Sequence, residues 1–148
     1  MGIQFTSKKV GELLKEGNLR IPSYQRPYKW NRKHIRNLFY DLRDAMEKKE
    51  YQVGSVIFHD NGGYLDIVDG QQRLISISLF LHSLEKLKDY EGANQLLGAE
   101  FGEISCYHAS ENYNEWENLT QLVGTSQAKE ICEFLLENCS ISCIIMPE

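Results

Sequence analysis

The 148-residue chain has no apolar run long enough to span a bilayer; its best candidate, Leu74 to Leu84, is broken by serines and a histidine. The first residues, Met1-Gly2-Ile3-Gln4-Phe5, lack the layout of an export signal. Gly2 with Thr6 fits the short myristoylation pattern, which chance satisfies often, so lipidation carries little weight. There is no C-x-x-C pair among Cys106, Cys132, Cys139 and Cys143, so free thiols in a reducing cytoplasm are expected. On one strand, Cys139 and Cys143 would stand about 13 Å apart, too far for one zinc to bridge, which leaves them as small buried hydrophobes. His34, His59, His82 and His108 show no metal-ligand spacing, so no metal site is assigned and each reads as a surface or packed histidine. Positive charge is also scarce. A net charge of −5 excludes a general basic coat for nucleic acid but leaves room for a local basic groove. Internal repeats, low-complexity linkers and a Gly-Lys-Ser/Thr phosphate loop are absent.

What is present is an ordinary globular composition, 42% hydrophobic and 25% charged, in a chain long enough to bury a core without disulfides or metal. Ile3 to Phe5 reads as a short strand that needs burying. Ser7 reads as the cap of a short helix through Val10, Leu13 and Leu14, ended at Gly17-Asn18. Leu19 to Ile21 reads as a second short strand. Asn31 is placed as the N-cap of a helix over 32–49, with Ile35, Leu38, Phe39, Leu42, Ala45 and Met46 in one apolar stripe and a charged outer surface. Strands over Tyr51 to Phe58 and Tyr64 to Val68 are joined at Asn61-Gly62-Gly63, residues that tolerate positive φ. The helix that follows, Leu74 to Leu87, is apolar around most of its circumference and is placed in the core; its polar end, Glu85 to Gly92, emerges to solvent. Further on, Asn94 to Leu97 reads as a helical turn and Ile104 to Tyr107 as a strand. Ser110 and Ser126 read as helix caps, with Trp116 and Leu119 on one buried face and Ile131 and Leu135 on the other. Glu111, Glu115 and Glu117 read as a solvated helix face. Ile141 to Met146 is a final strand.

Two stretches carry chemistry that folding alone does not require. In Ile21-Pro22-Ser23-Tyr24-Gln25-Arg26-Pro27-Tyr28-Lys29-Trp30, rings alternate with cations in a segment that its prolines keep extended. Tyr24, Tyr28 and Trp30 would stack on bases while Arg26 and Lys29 hold phosphates. The competing reading is a structural loop whose rings plug the core. In Asp69-Gly70-Gln71-Gln72-Arg73, Gly70 permits a tight turn from strand into helix. The N–H groups of Gln71 and Gln72 would face an anion, Arg73 would grip a phosphate, and Asp69 would hold Mg²⁺ or polarise water. The competing reading is Asp69 as an N-cap with Arg73 in a surface ion pair.

Together, Ile-Pro-x-Tyr-Gln-Arg-x-Tyr-x-Trp (Ile21 to Trp30) and Asp-Gly-Gln-Gln-Arg-Leu (Asp69 to Leu74) closely resemble the N-terminal domain of the GmrSD-type restriction nucleases, a prokaryotic family related to the ParB/sulfiredoxin fold. The resemblance is strong from about Lys9 to Leu87 and includes Val53-Gly54-Ser55-Val56. It departs after Arg73-Leu74, where the family usually has Thr and this chain has Ile75-Ser76; Ser76 keeps a hydroxyl there. It is weak beyond Leu87, although Ile131 to Met146 looks like the helix and strand that precede the family's Asn-x-Arg-Gly segment. That segment and the His-Asn-His nuclease domain many members carry are not in this sequence, so a longer polypeptide is expected.

The resemblance implies an α+β, ParB/sulfiredoxin-like fold with a small mixed sheet and packed helices. It implies a motif-bearing core over 1–90, with 91–148 as a helical extension ending in a strand. It further implies a domain that binds and hydrolyses a nucleoside triphosphate with Mg²⁺, regulating a DNA-targeting, modification-dependent restriction or phage-defence nuclease. Asp69, Gln72 and Arg73 become the catalytic candidates, and Gly70, Gln71, Gln72, Arg73, Gln25 and Arg26 the nucleotide contacts. Tyr24, Arg26, Tyr28, Lys29 and Trp30 become the DNA contacts. Expected partners are DNA and a C-terminal nuclease domain, with no membrane, in the cytoplasm. Two alternatives stand beside this: a DNA-binding module in which the Asp69–Arg73 turn is structural, and a domain that docks a partner protein.

Overall fold

Two glycines dictate a two-residue turn near the middle of the chain. Gly62 and Gly63 take φ of 65° and 92°, so Asn61 pairs directly with Tyr64 across a two-residue hairpin. This computed structural model describes residues 2–23, 27–100 and 106–147. The hairpin joins β3 (Tyr51–Asn61) to β4 (Tyr64–Asp69). Before it come β1 (Gln4–Lys9), α1 (Val10–Lys15), β2 (Leu19–Arg20) and α2 (Arg32–Ala45), the last extended by a 3-10 turn, Met46–Lys48. After it come α3 (Gln71–Ser83), α4 (Glu91–Glu100), α5 (Tyr107–Val123), α6 (Thr125–Glu137) and β5 (Cys139–Met146). The sheet order is β1-β5-β3-β4-β2. β5 runs parallel to β3 and antiparallel to β1, and β2 runs parallel to β4, so the sheet is mixed and the fold is α+β, as the sequence implies. Among the described residues no helix is long and apolar enough to cross a membrane.

The apolar stripe of α2 is buried at Ile35, Leu38, Phe39, Leu42 and Ala45. Asn31 caps this helix: its Oδ1 accepts from the Lys33 and His34 N–H groups at 3.0 and 3.4 Å. α3 is buried at every position from Leu74 to Leu81, which explains why its apolar residues cover the whole circumference. Phe80 stacks on Trp116 of α5 at 4.2 Å, and Phe39 meets both rings edge-on. The Trp116 indole N–H is satisfied by the Ser76 carbonyl at 3.0 Å.

Several sequence expectations need correction. Ile3 and Phe5 are 52% and 75% exposed, because β1 is an edge strand that pairs only with β5. Ser7 lies inside β1, and α1 starts after Lys9. The stretch from Glu85 does not simply run into solvent: Gly92 is buried, and a Cβ there would lie 2.6 Å from the Glu16 carbonyl, so only glycine lets α4 approach α1 this closely. The helical turn expected over Asn94 to Leu97 is helical, as part of the longer α4. Tyr107 opens a helix with Cys106 as its N-cap, rather than closing a strand, and residues 104–105 of that expected strand lie outside the described residues. Ser110 and Ser126 lie inside α5 and α6 and cap neither. Glu115 is buried rather than solvated, and lies 3.3 Å from Arg36; Glu111 lies 3.6 Å from Arg32. The charged side of α2 meets α5, a pairing that neither helix reveals alone.

Candidate functional site

The Asp69–Arg73 stretch folds as a strand, a one-residue turn and a helix. Gly70 has φ of 99°, and a Cβ there would lie 3.0 Å from the Ser55 carbonyl and 3.1 Å from Val56 Cα. The turn is therefore pressed directly onto β3. Two residues earlier on β3, Gly54 has φ of 147°, and a Cβ built on it would reach within 2.4 Å of Arg73 Nη1. The pairing of β3 with β5 shifts register between Gln52 and Gly54. Two glycines thus make two close approaches: one seats the turn, and the other leaves room for the Arg73 guanidinium. The role of Gly54 was not assigned from sequence, since it depends on which strand lies beneath the helix start.

Arg73 is half-buried and makes no ion pair among the described residues; its guanidinium carbon sits 5.8 Å from the Trp30 ring centre. Asp69 is exposed and ends β4, while the N-cap of α3 is Gly70, with no side-chain capping bond. Both halves of the structural alternative, an Asp69 cap and an Arg73 ion pair, are therefore absent from the described residues. Gln71 is buried, at 4% exposure, so only its backbone lies at the helix start.

Gln72 holds the preceding loop. Its Oε1 accepts from the Lys29 and Trp30 N–H groups at 2.7 and 3.1 Å, and its Nε2 donates to the Pro27 carbonyl at 3.3 Å. Its amide is committed to three backbone groups, a bracing role that the sequence offered for this turn only as an alternative and without naming Gln72.

The loop itself divides. Tyr28, expected to offer its face to bases, is 1% exposed. Asn112 Nδ2 donates to its hydroxyl at 2.7 Å, and that hydroxyl lies 2.6 Å from Ser76 Oγ. Ser76 gives its own hydrogen to the Gln72 carbonyl at 2.8 Å, so Tyr28 is the donor to Ser76. Burial pushes the Tyr28 phenol up to about 12, with the Ser76 and Asn112 bonds pulling it back. The residue thus plugs the core and takes no part in a DNA surface. Lys29 is exposed. Trp30 is half-buried, stacked on His34 at 5.2 Å and 19° between planes, with its carbonyl held by Asn112 Nδ2 at 2.7 Å. Tyr24, Gln25 and Arg26 lie outside the described residues.

Beside Arg73 opens a cleft of about 190 Å³ between α2 and β3, lined among others by Trp30, His34, Asn37, Asp41 and Tyr51. Burial raises the Tyr51 phenol, and the Asp41 charge raises it further while Arg73 opposes. The hydroxyl therefore feels both charges. Sequence reading did not find this cleft; its one signal was Asn37 and Asp41, four apart on the border of the apolar stripe.

Chemically, the turn offers a cation and a helix start to an oxyanion, and Asp69 adds an exposed carboxylate. Among the described residues no three His, Cys, Asp or Glu side chains cluster to hold a metal by themselves. Comparison with curated proteins finds no match. A family profile described as GmrSD restriction endonuclease, N-terminal domain, matches residues 10–143. That span takes in both motifs, the cleft and the sheet except β1 and the last three residues of β5, and on it the chain belongs to the N-terminal-domain family of the GmrSD restriction endonucleases.

Proposed function

We propose that this domain is the nucleoside-triphosphate-binding regulatory module of a DNA-targeting, modification-dependent restriction nuclease acting in the cytoplasm. The observation that carries the reading is Arg73: a half-buried guanidinium with no ion pair among the described residues, beside a helix start with no capping side chain. A cation in that position favours an anionic ligand. The glycines support the site indirectly: Gly70 lets the turn press onto Ser55 and Val56 of β3, and Gly54 leaves room for the Arg73 guanidinium. Arg73 and the α3 backbone would hold the phosphates. Mg²⁺ fits as an ion carried by those phosphates with Asp69 as its single protein carboxylate, a common arrangement for this metal. There it would neutralise phosphate charge. Gln72 positions the Pro27–Trp30 loop against the site.

Calorimetry with Mg²⁺ and each of the four triphosphates tests this. The native chain should bind, and Arg73→Ala should lose binding while its circular dichroism is unchanged. Binding that survives the substitution would remove the phosphates from this turn.

One observation favours a second reading, a DNA-binding module braced by the turn: the Gln72 amide bonds to Pro27, Lys29 and Trp30, which fixes the exposed Lys29 in place. In that case DNA binding should occur without nucleotide, fall steeply as salt rises, and weaken in Lys29→Ala.

A further inference from the structure

The cleft beside Arg73 has a chemistry that the phosphate site does not use. Its walls are aromatic and apolar: the Trp30 and His34 rings, Tyr51, and Leu38 with Val53 beneath them. Its polar rim comes from one face of α2, where Asn37 and Asp41 stand four residues apart, about one helical turn. Both are exposed, and neither makes a hydrogen bond or ion pair among the described residues. Arg73 closes the end nearest the α3 start, so the cleft and the phosphate-binding turn share one side chain.

A flat heteroaromatic ring matches such walls, and the rim decides which ring. An ionised carboxylate only accepts hydrogen bonds. Among the common nucleobases, only guanine places two donors side by side on its pairing edge, the ring N1–H and the 2-amino group. Uracil offers one N–H flanked by two carbonyls, while adenine and cytosine each set an amino group beside a bare ring nitrogen. Each of those edges would put a lone pair against the carboxylate. The Asn37 amide, one turn away, can donate to the guanine 6-carbonyl.

We infer that this cleft is a base-reading pocket for guanine, with Asp41 accepting from the N1–H and 2-amino group and Asn37 donating to the 6-carbonyl. The inference rests on the triphosphate reading above and adds the identity of the base.

The test is calorimetry of the full chain with Mg²⁺ and the triphosphates of guanosine, inosine, xanthosine and uridine. Inosine lacks the 2-amino group, so its triphosphate should bind about tenfold or more weaker than that of guanosine. Asp41→Asn replaces an acceptor with a donor. It should weaken guanosine triphosphate about tenfold to a hundredfold and strengthen xanthosine triphosphate, whose 2-carbonyl accepts. A gain for one base cannot come from a merely structural loss. Equal affinity for every base, unchanged in Asp41→Asn but abolished in Arg73→Ala, would overturn the base pocket and leave the phosphate site standing. Failure of every triphosphate to bind the native chain would overturn both.

Discussion

Gly54 shows how much one absent side chain can control. Its φ of 147° is poorly tolerated by any residue with a Cβ, and the space above it is filled by Arg73 Nη1. Gly54→Ala should cost about 1–3 kcal/mol through backbone strain. It should also push the guanidinium away, since the far end of an arginine gives more easily than a strand. Urea unfolding measures the first effect and triphosphate calorimetry the second; retention of full affinity would mean that Arg73 does not act from its position over Gly54. Gln72 presents the opposite case, a side chain whose polar atoms are spent on backbone. Gln72→Ala should cost about 1–2 kcal/mol by leaving the Lys29 and Trp30 N–H groups to water. Gln72→Glu sets a second oxygen against the Pro27 carbonyl but keeps, and charges, the acceptor for the Lys29 and Trp30 N–H groups, so it should cost less. Proteolysis near Lys29 should quicken in the first variant and barely change in the second.

At the scale of elements, Tyr28 ties the loop to α3 and α5 through Ser76 and Asn112. Tyr28→Phe removes the hydroxyl but leaves Asn112 bonded to the Trp30 carbonyl and Ser76 bonded to the Gln72 carbonyl, so about 1–3 kcal/mol is expected. Alkali should destabilise this loop and two further elements, α6 and β5. Burial raises Tyr28 from 10.0 to about 12, and raises Cys132 and Cys139 from 9.0 to about 12. Each group loses its proton first in the unfolded chain, so across these windows the unfolded state binds fewer protons and stability falls as pH rises. The contribution is whole below pH 9 and declines from there to about pH 12. Each group removes up to about 1.4 kcal/mol per pH unit. Urea midpoints taken across that range should fall, and Cys132→Ala should make the decline shallower. A flat profile would contradict the burial of all three groups.

At the scale of the molecule, the sheet draws on both ends of the chain. β5, from the last ten residues, is hydrogen-bonded to β1 on one side and β3 on the other. Trp116 of α5 fills the space beside Phe39 and Phe80. Residues 1–90 expressed alone would lose both the interior strand and this ring cluster. They should give no cooperative thermal unfolding and no dispersed amide spectrum. A folded 1–90 fragment would show that the motif-bearing half carries its own core.

What the sequence determined by itself is local. The α2 stripe, its Asn31 cap, the Gly62-Gly63 hairpin, the fully apolar α3 and the two family motifs were all readable, because each depends on residue spacing or on one residue's φ preference. The strand-turn-helix at Asp69–Arg73 belongs to the same class. The tertiary structure decided whatever depends on a neighbour distant in the chain. It sent Tyr28 inward, because Ser76 and Asn112 offer its hydroxyl partners 48 and 84 residues away. It left Phe5 exposed on an edge strand and buried Glu115 against Arg36. It set Arg73 over Gly54 and opened the cleft at Asn37 and Asp41. Spacing in sequence specifies which face a side chain shares with its neighbours, but only packing specifies what that face meets.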